Sequence, residues 1–135
     1  MQVKFWRQAA LAAGLATAAI GAGACAAAVA AGAAGGIYAT TRGVESLVAS
    51  PIDRVVSSSE SVMKDMGIVQ DATSSDNGGA KRELKGKHGD LDVTIQMEQR
   101  DTATTKVEVY ARKNLAEWDK DYARTVLDKI VHAAK

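Results

Sequence analysis

One cysteine, Cys25, is the side chain in this sequence whose type and surroundings point most directly to covalent chemistry. A deprotonated thiol is a nucleophile, and a lone cysteine has no partner for an internal disulfide. The three residues before it, Ala22, Gly23 and Ala24, are all small. The residues alone also allow the alternative that Cys25 is buried in an apolar helix.

The segment before Cys25 has the three parts of a secretory leader. Its first eight residues are basic through Lys4 and Arg7, an uncharged apolar run follows, and small residues precede the cysteine. This arrangement predicts a signal peptide over residues 1–24 rather than a folded element.

The small residues and Cys25 together resemble the lipobox of bacterial lipoproteins. In that family the cysteine thiol receives a diacylglycerol, so the resemblance implies lipidation of Cys25 and signal cleavage between Ala24 and Cys25. The next residue, Ala26, is not acidic. By the same resemblance we expect the protein in the cell envelope, anchored in the outer rather than the inner membrane and facing the periplasm.

The uncharged run over residues 9–34 is long enough to cross a bilayer, which takes about 20 residues. It consists mostly of alanine and glycine, and its four large aliphatic residues contribute roughly 2 kcal/mol of insertion free energy, which is marginal. Acyl chains contribute about 0.8 kcal/mol per buried methylene, and two anchor a protein stably. The alternative retains the run as an uncleaved transmembrane helix, which would make the protein an accessory subunit of a membrane complex.

Residues 25–36 are almost entirely alanine and glycine. Such a composition favours a flexible tether between the lipidated cysteine and a folded domain. The alternative is a helix of small residues that packs against another membrane protein.

The charge balance argues against a nucleic-acid partner, which would show a basic stripe or patch. The chain has 17 basic and 16 acidic residues. Its two histidines, His88 and His132, have no Cys or His neighbour at metal-ligand spacing. No nucleophile elbow, phosphate loop or dinucleotide fingerprint is present. We therefore predict no catalytic residues, no metal, no cofactor and no identifiable small-molecule substrate; the expected protein is not an enzyme.

The remainder, residues 37–135, predicts one α+β extracytoplasmic domain. The order is strand, helix, four strands, helix, giving an antiparallel sheet of about five strands with two helices on one face. The predicted strands cover residues 38–48, 68–73, 80–85, 91–98 and 105–112, and the predicted helices cover residues 50–66 and 116–134. Strict alternation of apolar and polar residues in the last two strands indicates a sheet with one buried and one wet face.

Local signals mark the ends of the predicted helices. Ser50 is expected to cap the first helix, with Pro51 at its first position, and Gly67 to stop it. The second helix is expected to carry an apolar stripe that begins with Trp118 and Tyr122. The strand over residues 80–85 is polar, which predicts a position at the sheet edge.

Several segments are similar to an uncharacterised family of short bacterial lipoproteins, whose domain has no known function. The likeness lies in Cys25 and the Gly/Ala tract, the helix start Ser50-Pro51-Ile52-Asp53-Arg54-Val55, the stop Met66-Gly67-Ile68, the Thr-rich hairpins and the closing Asp128-Lys129-Ile130. It implies a membrane-anchored lipoprotein that serves as a non-enzymatic binding or structural module of the cell envelope. Its partners would be membrane lipid, through acylated Cys25, and a protein of the envelope or of a membrane complex. The element order is also similar to helix-grip domains, which would imply a groove for an apolar ligand.

Overall fold

The structure is a computed structural model that describes residues 36–135. These residues form six strands and two α-helices. In chain order they are β1 (Tyr38–Ala39), β2 (Gly43–Val48), α1 (Ile52–Asp65), β3 (Val69–Asp76), β4 (Lys81–His88), β5 (Leu91–Asp101), β6 (Thr104–Arg112) and α2 (Lys120–Ala133).

All neighbouring strands are antiparallel, in the spatial order β1-β2-β6-β5-β4-β3. The predicted α+β class, antiparallel sheet and two helices are confirmed, but the sheet has six strands rather than five. The predicted first strand is two strands, because the chain reverses at residues 40–42. Thr40 Oγ1 accepts a hydrogen bond of 3.0 Å from the Gly43 N–H, and the Thr40 N–H donates to the Gly43 carbonyl at 2.9 Å. The likeness to helix-grip domains stays a prediction.

One face of the sheet and both helices enclose the core. The predicted alternation in β5 and β6 is confirmed, since every second side chain is buried from Val93 to Met97 and from Thr105 to Ala111. Helix α1 packs on β4, β5 and β6, α2 packs on β2 and β6, and the two helices contact each other. The side chains that fill the space between sheet and helices include Val55, Met63, Leu84, Ile95, Met97, Val109, Leu127 and Ile130, all at most 1 % exposed.

The first helix ends as predicted but begins differently. Gly67 has a φ of +71°, its N–H donates to the Lys64 carbonyl, and the Ile68 N–H donates to the Met63 carbonyl at 2.8 Å. This pattern is a Schellman motif. At the other end Pro51 is the N-cap, and no side chain caps the helix. The predicted Ser50 cap is therefore wrong.

Ser50 instead lies inside the domain, where it is 3 % exposed. Its hydroxyl donates to the carbonyl of Ala134, the C-cap residue that follows α2. Its own carbonyl accepts a 2.8 Å hydrogen bond from Thr105 Oγ1 on β6. Ser50 thus joins the start of α1 to the end of α2 and to the sheet.

The second helix begins four residues later than predicted. Asp119 is its N-cap, and its carboxylate accepts a 2.9 Å hydrogen bond from the Tyr122 N–H. The Asp119 N–H donates to the Ala111 carbonyl at 2.7 Å, which keeps the preceding residues against β6. Trp118 therefore lies outside the helix, and its ring packs edge-on against Tyr110, with 6.2 Å between ring centroids.

The polar β4 strand is inside the sheet, and β3 is the edge. Strand β3 continues through Ser74, Ser75 and Asp76, beyond the end of the predicted strand at residue 73, and the chain reverses in a 3₁₀ turn over Asn77–Gly79. Among the residues that the structure describes, no helix combines the length and apolar character that a membrane crossing requires.

Candidate functional site

The predicted site residues Ala24 and Cys25 lie outside the described residues, as do the predicted signal peptide and all of the predicted tether except Gly36. Lipidation and cleavage at this position stay predictions. The site described below is built from residues 36–135 alone.

The two histidines lie apart, at different ends of α2. His88 ends β4, and its ring stacks on Tyr122 with 5.4 Å between centroids. The exposed His132 is in the last turn of α2, where its Nδ1 lies 2.7 Å from the Asp128 carbonyl oxygen. Within residues 36–135, no group of three or more His, Cys, Asp or Glu side chains is close enough to hold a metal ion.

The face of the sheet turned away from the helices, which we call the open face, carries polar side chains joined by hydrogen bonds and ion pairs. We define it by the outward side chains at its centre, on β2, β4, β5 and β6, which are Glu45, Glu83, Lys85, Gln96, Glu98, Lys106, Glu108 and Tyr110. No helix within the described part of the chain covers it. The strand register places Glu45, Glu108, Gln96 and Glu83 in one row across the four strands.

Two glutamates of this row, Glu45 and Glu108, are directly opposite each other on neighbouring strands. Like charges in that position repel, and Lys106 compensates by lying between them. Its Nζ is 2.6 Å from Glu108 Oε1 and 3.4 Å from Glu45 Oε2. The Tyr110 hydroxyl donates to the other carboxylate oxygen of Glu108. One lysine and one phenol thus hold the central carboxylate in a fixed orientation.

The same contacts shift the pKa values of the three groups. The hydrogen bond to Glu108 raises the pKa of Lys106 above its ordinary value, although burial opposes this. Burial pushes the pKa of Glu108 upward, but the hydrogen bonds from Lys106 and Tyr110 outweigh burial, and the net effect lowers it. Burial and the hydrogen bond to Glu108 raise the pKa of Tyr110 to about 12. At neutral pH the cluster holds a carboxylate, an ammonium and a neutral phenol.

A second group of polar contacts lies beside the first, with Gln96 of β5 next to Glu108 in the strand register. The Gln96 amide Nε2 donates to Glu83 Oε2 at 2.7 Å, and Lys85 Nζ lies 3.2 Å from the other oxygen of Glu83. A shallow groove of about 270 Å³ follows the network from β6 to β3. Its lining residues include Ser74, Asp76, Lys81, Glu98, Lys106 and Glu108.

This arrangement suits recognition by polar contacts. The carboxylates of Glu83 and Glu108 already have partners. The donors to Glu108, Lys106 and Tyr110, are half-buried, whereas the donors to Glu83 are exposed, so the surface around Glu108 is the part that is ordered before anything binds. A partner could exchange these hydrogen bonds for its own without ordering new side chains, which lowers the cost of association. Each exposed ion pair contributes only about 0.2–1 kcal/mol to stability.

Sequence reasoning found part of this surface. The alternation of β6 correctly placed Lys106, Glu108 and Tyr110 on the wet face. The contact with Glu45 was missed, because that residue lies more than sixty positions earlier in the chain and only the β2–β6 register brings it alongside. The β-strand pattern around residue 45 was the sole local signal.

Comparison with protein families matches residues 8–132 to the family described as "Protein of unknown function (DUF3568)". The chain belongs to this family. The DUF3568 match extends over the whole sheet, all of α1, α2 except its last residue, and much of the segment that contains Cys25. The family's description assigns no activity, and no curated protein matches this DUF3568 chain.

Proposed function

We propose that this DUF3568 protein is a lipid-anchored module of the bacterial cell envelope that binds a partner through the open face of its sheet and catalyses no reaction. The observation that carries the proposal is the pre-ordered network around Glu108. The network lies on β2 and β6, and with the contacts among Gln96, Glu83 and Lys85 on β5 and β4 it belongs to a polar surface across four strands, opposite the helices.

The anchor in this proposal is Cys25, on the strength of its lipobox-like flank, and the periplasmic side of the outer membrane is the expected site. Eleven residues, 26–36, separate Cys25 from the folded domain. Fully extended, a segment of that length spans at most about 40 Å. A lipid at Cys25 would therefore keep the domain near the membrane while leaving its open face free to meet a partner.

Site-specific photo-crosslinking in the native cell tests both halves of the proposal. A photoreactive residue replaces Gln96, at the centre of the open face, in the full-length chain. The matched control places the same residue at Arg124, which is exposed on α2. We expect an adduct of one defined mass from position 96, no such adduct from position 124, and loss of the adduct when Cys25→Ser is added.

Different failures of this experiment have different meanings. Equal crosslinking from the two positions would refute the open face as the binding surface. A defined adduct from position 96 that persists in the Cys25→Ser chain would retain the binding surface and refute the lipid anchor.

A further inference from the structure

Strand β3 is the long edge of the sheet, and beyond a bulge near its start it lacks most of the features by which proteins protect an edge. It pairs with β4 on one side only, and all eight of its residues are exposed. Its sequence contains no Lys, Arg or Pro, the residues that commonly block an edge. The opposite edge, β1, is two residues long.

A bulge interrupts β3 near its start, where Asp71 has no partner residue on β4. Beyond the bulge, five residues continue in unbroken register from Ala72 to Asp76. Four of them have small side chains, so another backbone can approach closely. Their outward N–H and C=O groups provide a template of roughly 17 Å for one more strand.

The charge on this edge selects among the strands that could add to it. Its two charged side chains, Asp71 and Asp76, are both acidic, and neither forms an ion pair with any residue in the range 36–135. The cations of β4 lie two strand spacings, about 10 Å, from the position of an added strand. At that distance salt screens their interaction with it. Three of the four already pair with carboxylates, namely Arg82, Lys85 and Lys87.

We propose that β3 binds an extended, lysine- or arginine-bearing segment of a partner protein by strand addition, extending the sheet to a seventh strand. Main-chain hydrogen bonds would supply the affinity, and the two aspartates would select basic sequences. A second copy of this chain fits less well, because pairing two β3 strands would bring together four aspartates with no cation on either strand. This edge adjoins the open face, whose groove Ser74 and Asp76 also line. Strand addition would use the outward main-chain groups of β3 rather than the side chains at the centre of the open face.

The test uses the full-length chain in detergent and a capped peptide of alternating lysine and valine, about as long as β3. A matched peptide has glutamate in place of lysine. We expect the lysine peptide to shift the NMR amide signals of Val69–Asp76 and slow their hydrogen exchange. Its affinity should fall as salt rises from about 0.05 to about 0.3 M, since the pairs are exposed.

Variants of the two aspartates make the test specific. Asp71→Asn and Asp76→Asn should each lower the affinity for the lysine peptide by about 2- to 5-fold. Asparagine at position 76 retains an oxygen for the 2.7 Å hydrogen bond from the Asn77 N–H, so the turn is preserved. Asp90→Asn, in the exposed β4–β5 turn, is the matched control and should leave affinity unchanged.

Three results would overturn the proposal. The lysine peptide could leave the β3 amides unperturbed, or the glutamate peptide could bind β3 equally well. Self-association of the chain through β3 without peptide would identify a second copy as the occupant instead.

Discussion

Replacing Ser50 by alanine should destabilise the domain through the end of α2, not through the start of α1. The Ser50 hydroxyl donates to the Ala134 carbonyl, and Ala134 is fully buried. Without that donor the buried carbonyl is left without a partner, which costs about 1–3 kcal/mol. For a domain of this size each kcal/mol lowers the Tm by about 4–8 °C. Urea and thermal unfolding of the full-length chain in mild detergent measure both quantities.

Aspartate at the same position separates the two roles. As a helix cap, aspartate is about as good as serine, so a cap at Ser50 would tolerate Ser50→Asp. As a buried donor it fails, because an ionised carboxylate cannot donate and would face the Ala134 carbonyl oxygen. We expect Ser50→Asp to lower the free energy of unfolding more than Ser50→Ala does. The exposed control Ser61→Ala should stay within about 0.5 kcal/mol of the parent. A Ser50→Asp chain as stable as the parent would refute this reasoning.

Three further predictions concern β6 and the strands beside it. Thr105→Val should cost about 1–3 kcal/mol in urea unfolding, because it removes the donor to a buried carbonyl while preserving shape; an unchanged midpoint would contradict this. Gly43→Ala should cost about 1–3 kcal/mol of unfolding free energy, since its new methyl group would overlap the Val109 carbonyl oxygen; a chain of parental stability would show that β2 does not lie so close to β6. The folded state raises the pKa of Tyr110 from 10.0 to about 12, so it holds that proton more tightly than the unfolded chain. The associated stability is present below pH 10 and lost as pH rises toward about 12. Phenolate absorbance, assigned with Tyr110→Phe, should show this pKa falling toward its ordinary value in Glu108→Gln, and no change would show that Glu108 does not hold the phenol.

Sequence reasoning succeeded where a single element determines its own structure. The alternation in β5 and β6 fixes which side chains face the core, because one face is buried and the other is wet. Gly67 ends α1 because a left-handed residue is needed there and glycine adopts it without strain. Both signals lie within a few residues of the structure they specify.

Sequence reasoning failed where a contact with a distant part of the chain determines the local structure. Ser50 precedes a proline and therefore has the local pattern of a helix cap, yet its hydroxyl donates to a carbonyl 84 positions away in the chain. Trp118 has the spacing of the α2 stripe, but Asp119 caps the helix one residue later. The serines at the end of β3 have turn chemistry, and they form a strand because β4 supplies backbone partners along that length.

The open face could be predicted only in part, because some of its contacts depend on residues that are distant in the chain. Its outward residues on β5 and β6 follow from alternation, whereas the row from Glu45 to Glu83 depends on the register of four strands. The position of a bridging cation such as Lys106 depends on that register too. Cys25 is the converse case, because its chemistry is suggested by neighbouring residues and does not depend on the fold.

The most direct test of the proposed lipid-anchored module is the intact mass of the protein purified from native membranes. We expect a mass that begins at Cys25 and includes acyl chains. A mass that retains residues 1–24 and carries no lipid would contradict the anchor, and would favour instead a subunit held in its membrane complex by an uncleaved N-terminal helix.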